Sequence, residues 1–134
     1  MKVLLDNVNI FSNSGPNHFG SKLIKYLDKR GNQCMLPPQE GADIKLAFIE
    51  SSQIIETLPM ALRLDGVYFD PEQNYKLRNG GLSQSYRKAD GVIFQSEFNK
   101  EMCFKYFGEH KNYAVINNGA DFEYMASIKP LGHP

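Results

Sequence analysis

The chain has 134 residues, the size of one domain, and its 42% hydrophobic and 22% charged content is that of a globular protein, not a disordered or fibrous one. Fifteen Lys and Arg balance fifteen Asp and Glu, so no global field exists to draw in nucleic acid or an anionic membrane. No apolar run approaches the roughly 20 residues that span a bilayer, and the opening apolar run is short and ends at Asp6, unlike a signal peptide, so a cytoplasmic location is expected.

Residues 2–9 begin with an apolar run that reads as a strand buried on both faces. The turn-forming cluster 11–17 follows, and a helix is expected from about Asn17 or His18, with Asn17 as its N-cap. Phe19, Leu23 and Leu27 recur every four residues, with Ile24 and Tyr26 beside them, and Gly31 is placed to stop the helix. Residues 33–36 form a weaker strand candidate and 45–49 a stronger one. A short helix is expected over 52–58, ended by Pro59.

Residues 60–65 read as a strand with a polar end at Asp65. Residues 75–88 are helical in part, interrupted at Asn79-Gly80-Gly81. Residues 91–95 are a strand, and Ser96 caps a helix that places Phe98, Met102, Cys103 and Tyr106 on or near one face, with Gly108 as its stop. Residues 113–116 are the last strand. Residues 126–134 have the composition of a linker or tail, which leaves 1–125 as the domain.

Short apolar strands alternating with helices predict an α/β fold: a Rossmann-like, doubly wound, mostly parallel sheet with helices on both faces. Ligands of such sheets bind beyond the carboxyl ends of the strands, so the polar residues just after each strand are the site candidates. In the first of these loops, Gly15, Asn17 and His18 lie at a helix N-terminus, whose free N–H groups attract phosphate. Arg63 and Asp65 flank Leu64 and so point to one side of their strand. They form either a structural ion pair or a contact for acceptor hydroxyls. Tyr68 and Phe69 offer a platform for a sugar face or plain packing. Ser96 and Glu97 read as an N-cap and a first-turn acid, or as a site. Asn118, Gly119 and Asp121 read as a tight turn. His110 and His133 read as solvated and without a partner, and no Cys/His/Asp cluster has metal spacing. Cys34 and Cys103 are expected to be reduced and buried.

Three segments, in order, carry a resemblance. Residues 87–100 resemble the "ADxVIxxSE" strand-to-helix segment of the retaining GT-B glycosyltransferases of family four. Val115-Ile116-Asn117-Asn118-Gly119-Ala120-Asp121 is similar to that family's "VIxNGVD" segment, and Met60 to Phe69, with its Leu62-Arg63-Leu64-Asp65-Gly66 core, looks like the strand and loop before them. The resemblance covers about residues 1–124 and implies the N-terminal, acceptor-side half of such an enzyme. In the family that half faces a C-terminal lobe, which grips the nucleotide-sugar donor and carries paired glutamates. On this reading Gly15, Asn17, His18, Arg63, Asp65, Tyr68, Ser96, Glu97, Asn118 and Gly119 line the substrate side, and no metal or other cofactor is required. The isolated chain would transfer sugar poorly without the donor lobe, and surface bared by that lobe's absence would favour a weak homodimer. The competing expectation is a non-catalytic binding or structural module on the same half-fold. A flavodoxin-like or response-regulator-like role is disfavoured because no acidic cluster follows the first strand.

Overall fold

The computed structural model describes residues 1–120, 122–130 and 132; Asp121 and His133, singled out from the sequence, lie outside them. In chain order the elements are β1 (Lys2–Asp6), α1 (Gly15–Lys29), β2 (Gln33–Met35), β3 (Ile44–Phe48), β4 (Met60–Leu64), a 3-10 turn (Pro71–Gln73), α2 (Tyr75–Arg78), α3 (Gly80–Lys88), β5 (Gly91–Phe94), α4 (Glu97–Phe107), β6 (Tyr113–Val115) and α5 (Phe122–Ser127). The last of these crosses the expected domain end at residue 125.

The six strands form one sheet in the order β2-β1-β3-β4-β5-β6, and every neighbouring pair is parallel. The fold is therefore α/β and Rossmann-like. The chain runs from β1 outward to β2, then crosses back to β3 on the other side of β1. That reversal puts α1 and the later helices on opposite faces, as right-handed crossovers require.

Register assigns each face its residues. Val3, Leu5 and Phe48 point to one side and form a core with Phe19, Leu23 and Ile24 of α1. Ala47, Leu62, Leu64, Val92 and Phe94 point to the other and pack with Leu82 and Tyr86 of α3 and Cys103 of α4. Strands buried on both faces read as continuous apolar runs without alternation, which is why β1, β3 and β4 were visible as such.

Several local expectations are corrected. The first strand ends at Asp6, not Asn9, because Asn7 turns into the left-handed region at φ 62° and its side chain donates to the Phe48 carbonyl at 2.8 Å. The first helix starts at Gly15 with Ser14 as N-cap. Pro16 lacks an N–H that the first turn would leave unpaired anyway and has the backbone angle a helix needs. Asn17 is no cap: its amide accepts from Asn9 N at 2.8 Å and donates to Ser14 Oγ at 2.9 Å, clamping the loop from inside the helix. Gly31 stops the helix as expected, at φ 78°. There Gly31 N donates to Asp28 O and Asn32 N to Leu27 O, each at 3.0 Å, a Schellman closure. Tyr26 is on the outer face, half-exposed.

No helix forms over 52–58, which consists of turns and irregular chain. Side chains have taken its backbone groups: Ser52 N donates to Asp6 Oδ2 at 3.0 Å and the Gln53 carbonyl accepts from Lys45 Nζ. Such capture competes directly with helical hydrogen bonding. On α4, Phe98 is exposed and the buried positions are Asn99 and Cys103. Among the described residues no helix is long and apolar enough to cross a membrane.

Candidate functional site

In an all-parallel sheet the carboxyl ends of the strands share one edge. The turns after β1, β4, β5 and β6 therefore open on the same side of the molecule. Three of those tips are joined by side chains. Arg63, near the end of β4, donates from Nη1 to Asp65 Oδ1 and from Nη2 to Asn118 Oδ1 at 2.8 Å. Asn118, beyond β6, donates to Gln95 Oε1 at 2.9 Å. Gln95, at the end of β5, donates to the Asp65 carbonyl at 2.6 Å. The four residues form a closed ring across three adjacent strands.

Arg63 is 5% exposed and its guanidinium carbon lies 4.0 Å from the centroid of the Phe19 ring. A cation held over an aromatic face away from water is stabilised by roughly 2 kcal/mol. Through this stack the β4 tip is bound to the first turns of α1. The carboxylate of Asp65 keeps 28% of its side chain open, and Asn118 and Gly119 are exposed. The ring therefore presents a buried cation behind an accessible carboxylate and amide. That combination suits hydroxyl groups, which can donate to the acid and accept from the amide.

The other predicted residues fall into three places. Gly15 and Asn17 are in the first turn of α1, with His18 exposed beside them; no atom stands within 4 Å of the position a Gly15 Cβ would take. Tyr68 is 42% exposed with Arg78 5.1 Å from its ring centroid. Its backbone is held at both ends by Asn79, which accepts from Tyr68 N at 3.0 Å and donates to Tyr68 O at 2.7 Å. Ser96 is an N-cap, accepting from Asn99 N at 3.1 Å, and Glu97 pairs with Lys100 on the outer surface. Thus Arg63, Asp65 and Asn118 meet directly, while Tyr68, Ser96, Glu97, Gly15, Asn17 and His18 supply none of the ring's hydrogen bonds.

Sequence reasoning missed a second polar centre. Asp6, at the end of β1, is 2% exposed and Lys45, inside β3, 1%. Asp6 accepts from Ser51 Oγ at 2.8 Å, from Ser52 N and from Ser52 Oγ, and lies 3.3 Å from Lys45 Nζ. Lys45 also donates to Ser51 Oγ at 2.6 Å. Burial pushes the Asp6 carboxyl upward, but hydrogen bonds from Ser52 and Ser51 and the charge of Lys45 outweigh it, holding the acid below its ordinary value. Asp6 and Ser52 line both a cavity of about 570 Å³ under residues 37–42 and an adjoining one of about 450 Å³ beside Asn9 and Asn17. One signal was available: a lone Lys and a lone Asp, each inside an otherwise apolar buried strand, demand partners.

His110 also departs from expectation. It is not solvated and free: Nε2 is 3.1 Å from the Ala89 carbonyl, Nδ1 is 2.8 Å from the Asn112 carbonyl, and the ring meets Tyr86 edge-on at 5.3 Å. Cys34 and Cys103 are both free thiols, the first half-buried and the second fully buried. Among the described residues no three His, Cys, Asp or Glu side chains gather into a metal-holding group. Compared with known proteins, the chain matches no family model and no curated sequence.

Proposed function

We propose that this chain is the acceptor-side half of a GT-B-type glycosyltransferase, working with a donor-gripping lobe to transfer a sugar from a nucleotide-sugar to a hydroxyl acceptor. The observation that carries the reading is the Arg63–Asp65–Gln95–Asn118 ring on the carboxyl edge of a parallel sheet, the edge where such sheets bind ligands. Asp65 is the acceptor-hydroxyl contact and Arg63 holds it in place. Tyr68 supplies an apolar ring face beside them. The open first turn of α1, with Gly15 and His18, faces the donor diphosphate, since helix N-termini favour anions. Catalysis on this reading consists of orienting the acceptor, worth several kcal/mol of barrier, while stabilisation of the departing diphosphate falls largely to the other lobe.

A second reading, a binding or structural module without catalysis, draws on one fact: both terminal nitrogens of Arg63 already donate hydrogen bonds within the chain. One experiment separates the two. The chain is titrated with a panel of nucleotide-sugars and simple glycosides while backbone amide resonances are followed. The glycosyltransferase reading expects shifts concentrated at Gly15, His18, Gly66, Tyr68 and Gly119. Shifts absent from that edge across the panel favour the structural module.

A further inference from the structure

On the side of the sheet away from α1, the strands are covered in two different ways. Over β4 and β5 the cover is α3 and α4, packed on Leu62, Leu64, Val92 and Phe94. Leu4 and Asp6 of β1 point to this same side with Lys45 of β3, since Leu4 pairs with Lys45 and Asp6 with Ala47. What lies over them is irregular chain, residues 37–42 and 52–58, and beneath it is the cavity of about 570 Å³.

A strained turn holds this space open. Ile49 has a φ of 69°, and Glu50 N donates to Phe48 O across it at 2.8 Å. A three-residue turn of this hand is rare, and a β-branched residue at its centre is rarer. The turn brings the chain off β3 so that Ser51 and Ser52 hang over Asp6. The Gln53 carbonyl is then taken by Lys45 Nζ, and no helix forms to fill the space. Backbone strain of this kind persists only where its surroundings over-determine it, and it concentrates at ligand sites.

The lining selects a class of ligand. Leu4, Pro37, Ile55 and Leu58 give apolar walls, and the volume is that of a small-molecule site. Two carboxylates, Asp6 and Glu40, line it against one cation, Lys45. The three ammonium protons of Lys45 already face three acceptors: Ser51 Oγ, the Gln53 carbonyl and, at 3.3 Å, Asp6 Oδ2. No free cation is left for a ligand anion. On Asp6, Oδ2 meets Ser51 Oγ, Ser52 N and Lys45, whereas Oδ1 accepts from Ser52 Oγ, so Oδ1 keeps a lone pair for a further donor. Glu40 has no ion-pair partner among the described residues. The adjoining cavity shares Asp6 and Ser52 and brings no Lys, Arg or His.

We infer that this cavity binds a small amine cation with an apolar body, its ammonium group held by Glu40 and Asp6 and its body against Leu4, Ile55 and Leu58. The surplus of one negative charge in the lining supplies the preference for a cation, and the walls supply the preference for an apolar body. The inference does not rest on the glycosyltransferase reading, because the site uses none of the Arg63–Asp65–Gln95–Asn118 ring and opens on another part of the molecule.

The test is a titration of the whole chain at neutral pH with three probes of one shape, benzylamine, benzyl alcohol and phenylacetate, followed by backbone amide resonances. Benzylamine is expected to bind with a dissociation constant on the order of 1 mM, with shifts concentrated at residues 40–42 and 52–55. Benzyl alcohol should bind at least about threefold more weakly and phenylacetate not at all. Glu40→Gln, at an exposed position, should bring benzylamine to the affinity of the alcohol and leave the alcohol unchanged. Circular dichroism checks that the variant keeps the fold. No benzylamine shifts at those residues would overturn the inference. Equal affinity for amine and alcohol, binding of phenylacetate, or a Glu40→Gln chain that holds benzylamine as before would each overturn the charge assignment on which it stands.

Discussion

Lys45 Nζ lies 3.3 Å from Asp6 Oδ2, and neither side chain is more than 3% exposed. The pair ties β1 to β3 and fixes the 51–53 segment above them. A buried pair of this kind contributes less to net stability than its geometry suggests, because both charges had to leave water. Removing one partner is another matter, since it strands the other. Asp6→Ala or Lys45→Met alone is expected to cost about 3–5 kcal/mol, read from denaturant midpoints. Replacing both together by apolar residues of similar volume should recover most of that loss. A double variant no more stable than either single one would show that the hydrogen bonds to Ser51 and Ser52, not the charges, hold the segment.

The same centre sets an acid limit on the fold. Asp6 has a folded-state pKa below its ordinary value of 3.8. Its contribution is therefore complete at pH values above the unfolded carboxylate value. It is lost as pH falls through the folded value, where the acid takes up a proton in both states. Stability of the native chain, measured by denaturant midpoints at successive pH values, should fall through the acid range below about pH 4. Asp6→Asn should flatten that dependence. An unchanged slope in the variant would assign acid sensitivity to other carboxylates.

The fold was legible for a specific reason. Apolar runs such as those of β1 and β3 are what a sheet covered on both faces demands, and Gly31 and Gly108, with φ of 78° and 89°, mark helix ends by backbone geometry that other residues avoid. What stayed hidden depends on partners remote in sequence. The 52–58 segment has ordinary helical composition, and its backbone is diverted by Asp6, 46 residues from Ser52, and by Lys45 and Ser51, which both donate to the Gln53 carbonyl. Asn99 reads as a surface residue in its helix, yet its amide is buried and donates to the Leu64 carbonyl at 2.6 Å, 35 residues away. Alternation placed Arg63 and Asp65 on one side, and they do pair. The link from Arg63 to Asn118 spans 55 residues and had no local trace.

The two thiols should differ sharply in chemistry from solvent-exposed cysteines. Burial pushes the Cys103 thiol up to about 12, and its Sγ donates to Asn99 Oδ1 at 3.2 Å. Cys34 is also raised, by burial and then by the charge of Asp28. Since the thiolate is the reactive form, Cys103 should be inert to a thiol-specific reagent in the native chain at neutral pH and react only on unfolding. Cys34, half-buried, should react slowly. Mass spectrometry of the labelled chain checks both, and rapid native labelling of Cys103 would mean that α4 opens from the sheet far more readily than its packing implies.

The ring at the strand tips permits a structural role to be separated from a binding role, because its members differ in burial. Arg63 is buried, stacked on Phe19 and bonded to two partners. Arg63→Lys keeps the charge but gives up the planar fork and most of the stacking, so a loss of about 1–3 kcal/mol is expected, together with faster amide exchange at residues 117–119. Asp65 has a side chain 28% exposed. Asp65→Asn retains an oxygen facing Arg63, so its cost should stay near 1 kcal/mol or below, as for partly exposed ion pairs. If the glycosyltransferase reading holds, this mild change should nonetheless abolish any glycoside-induced shifts at Gly66 and Tyr68, since the acceptor loses its charged hydrogen-bond partner. Shifts that survive in Asp65→Asn but vanish in Arg63→Lys would move the binding role from the carboxylate to the architecture that Arg63 maintains.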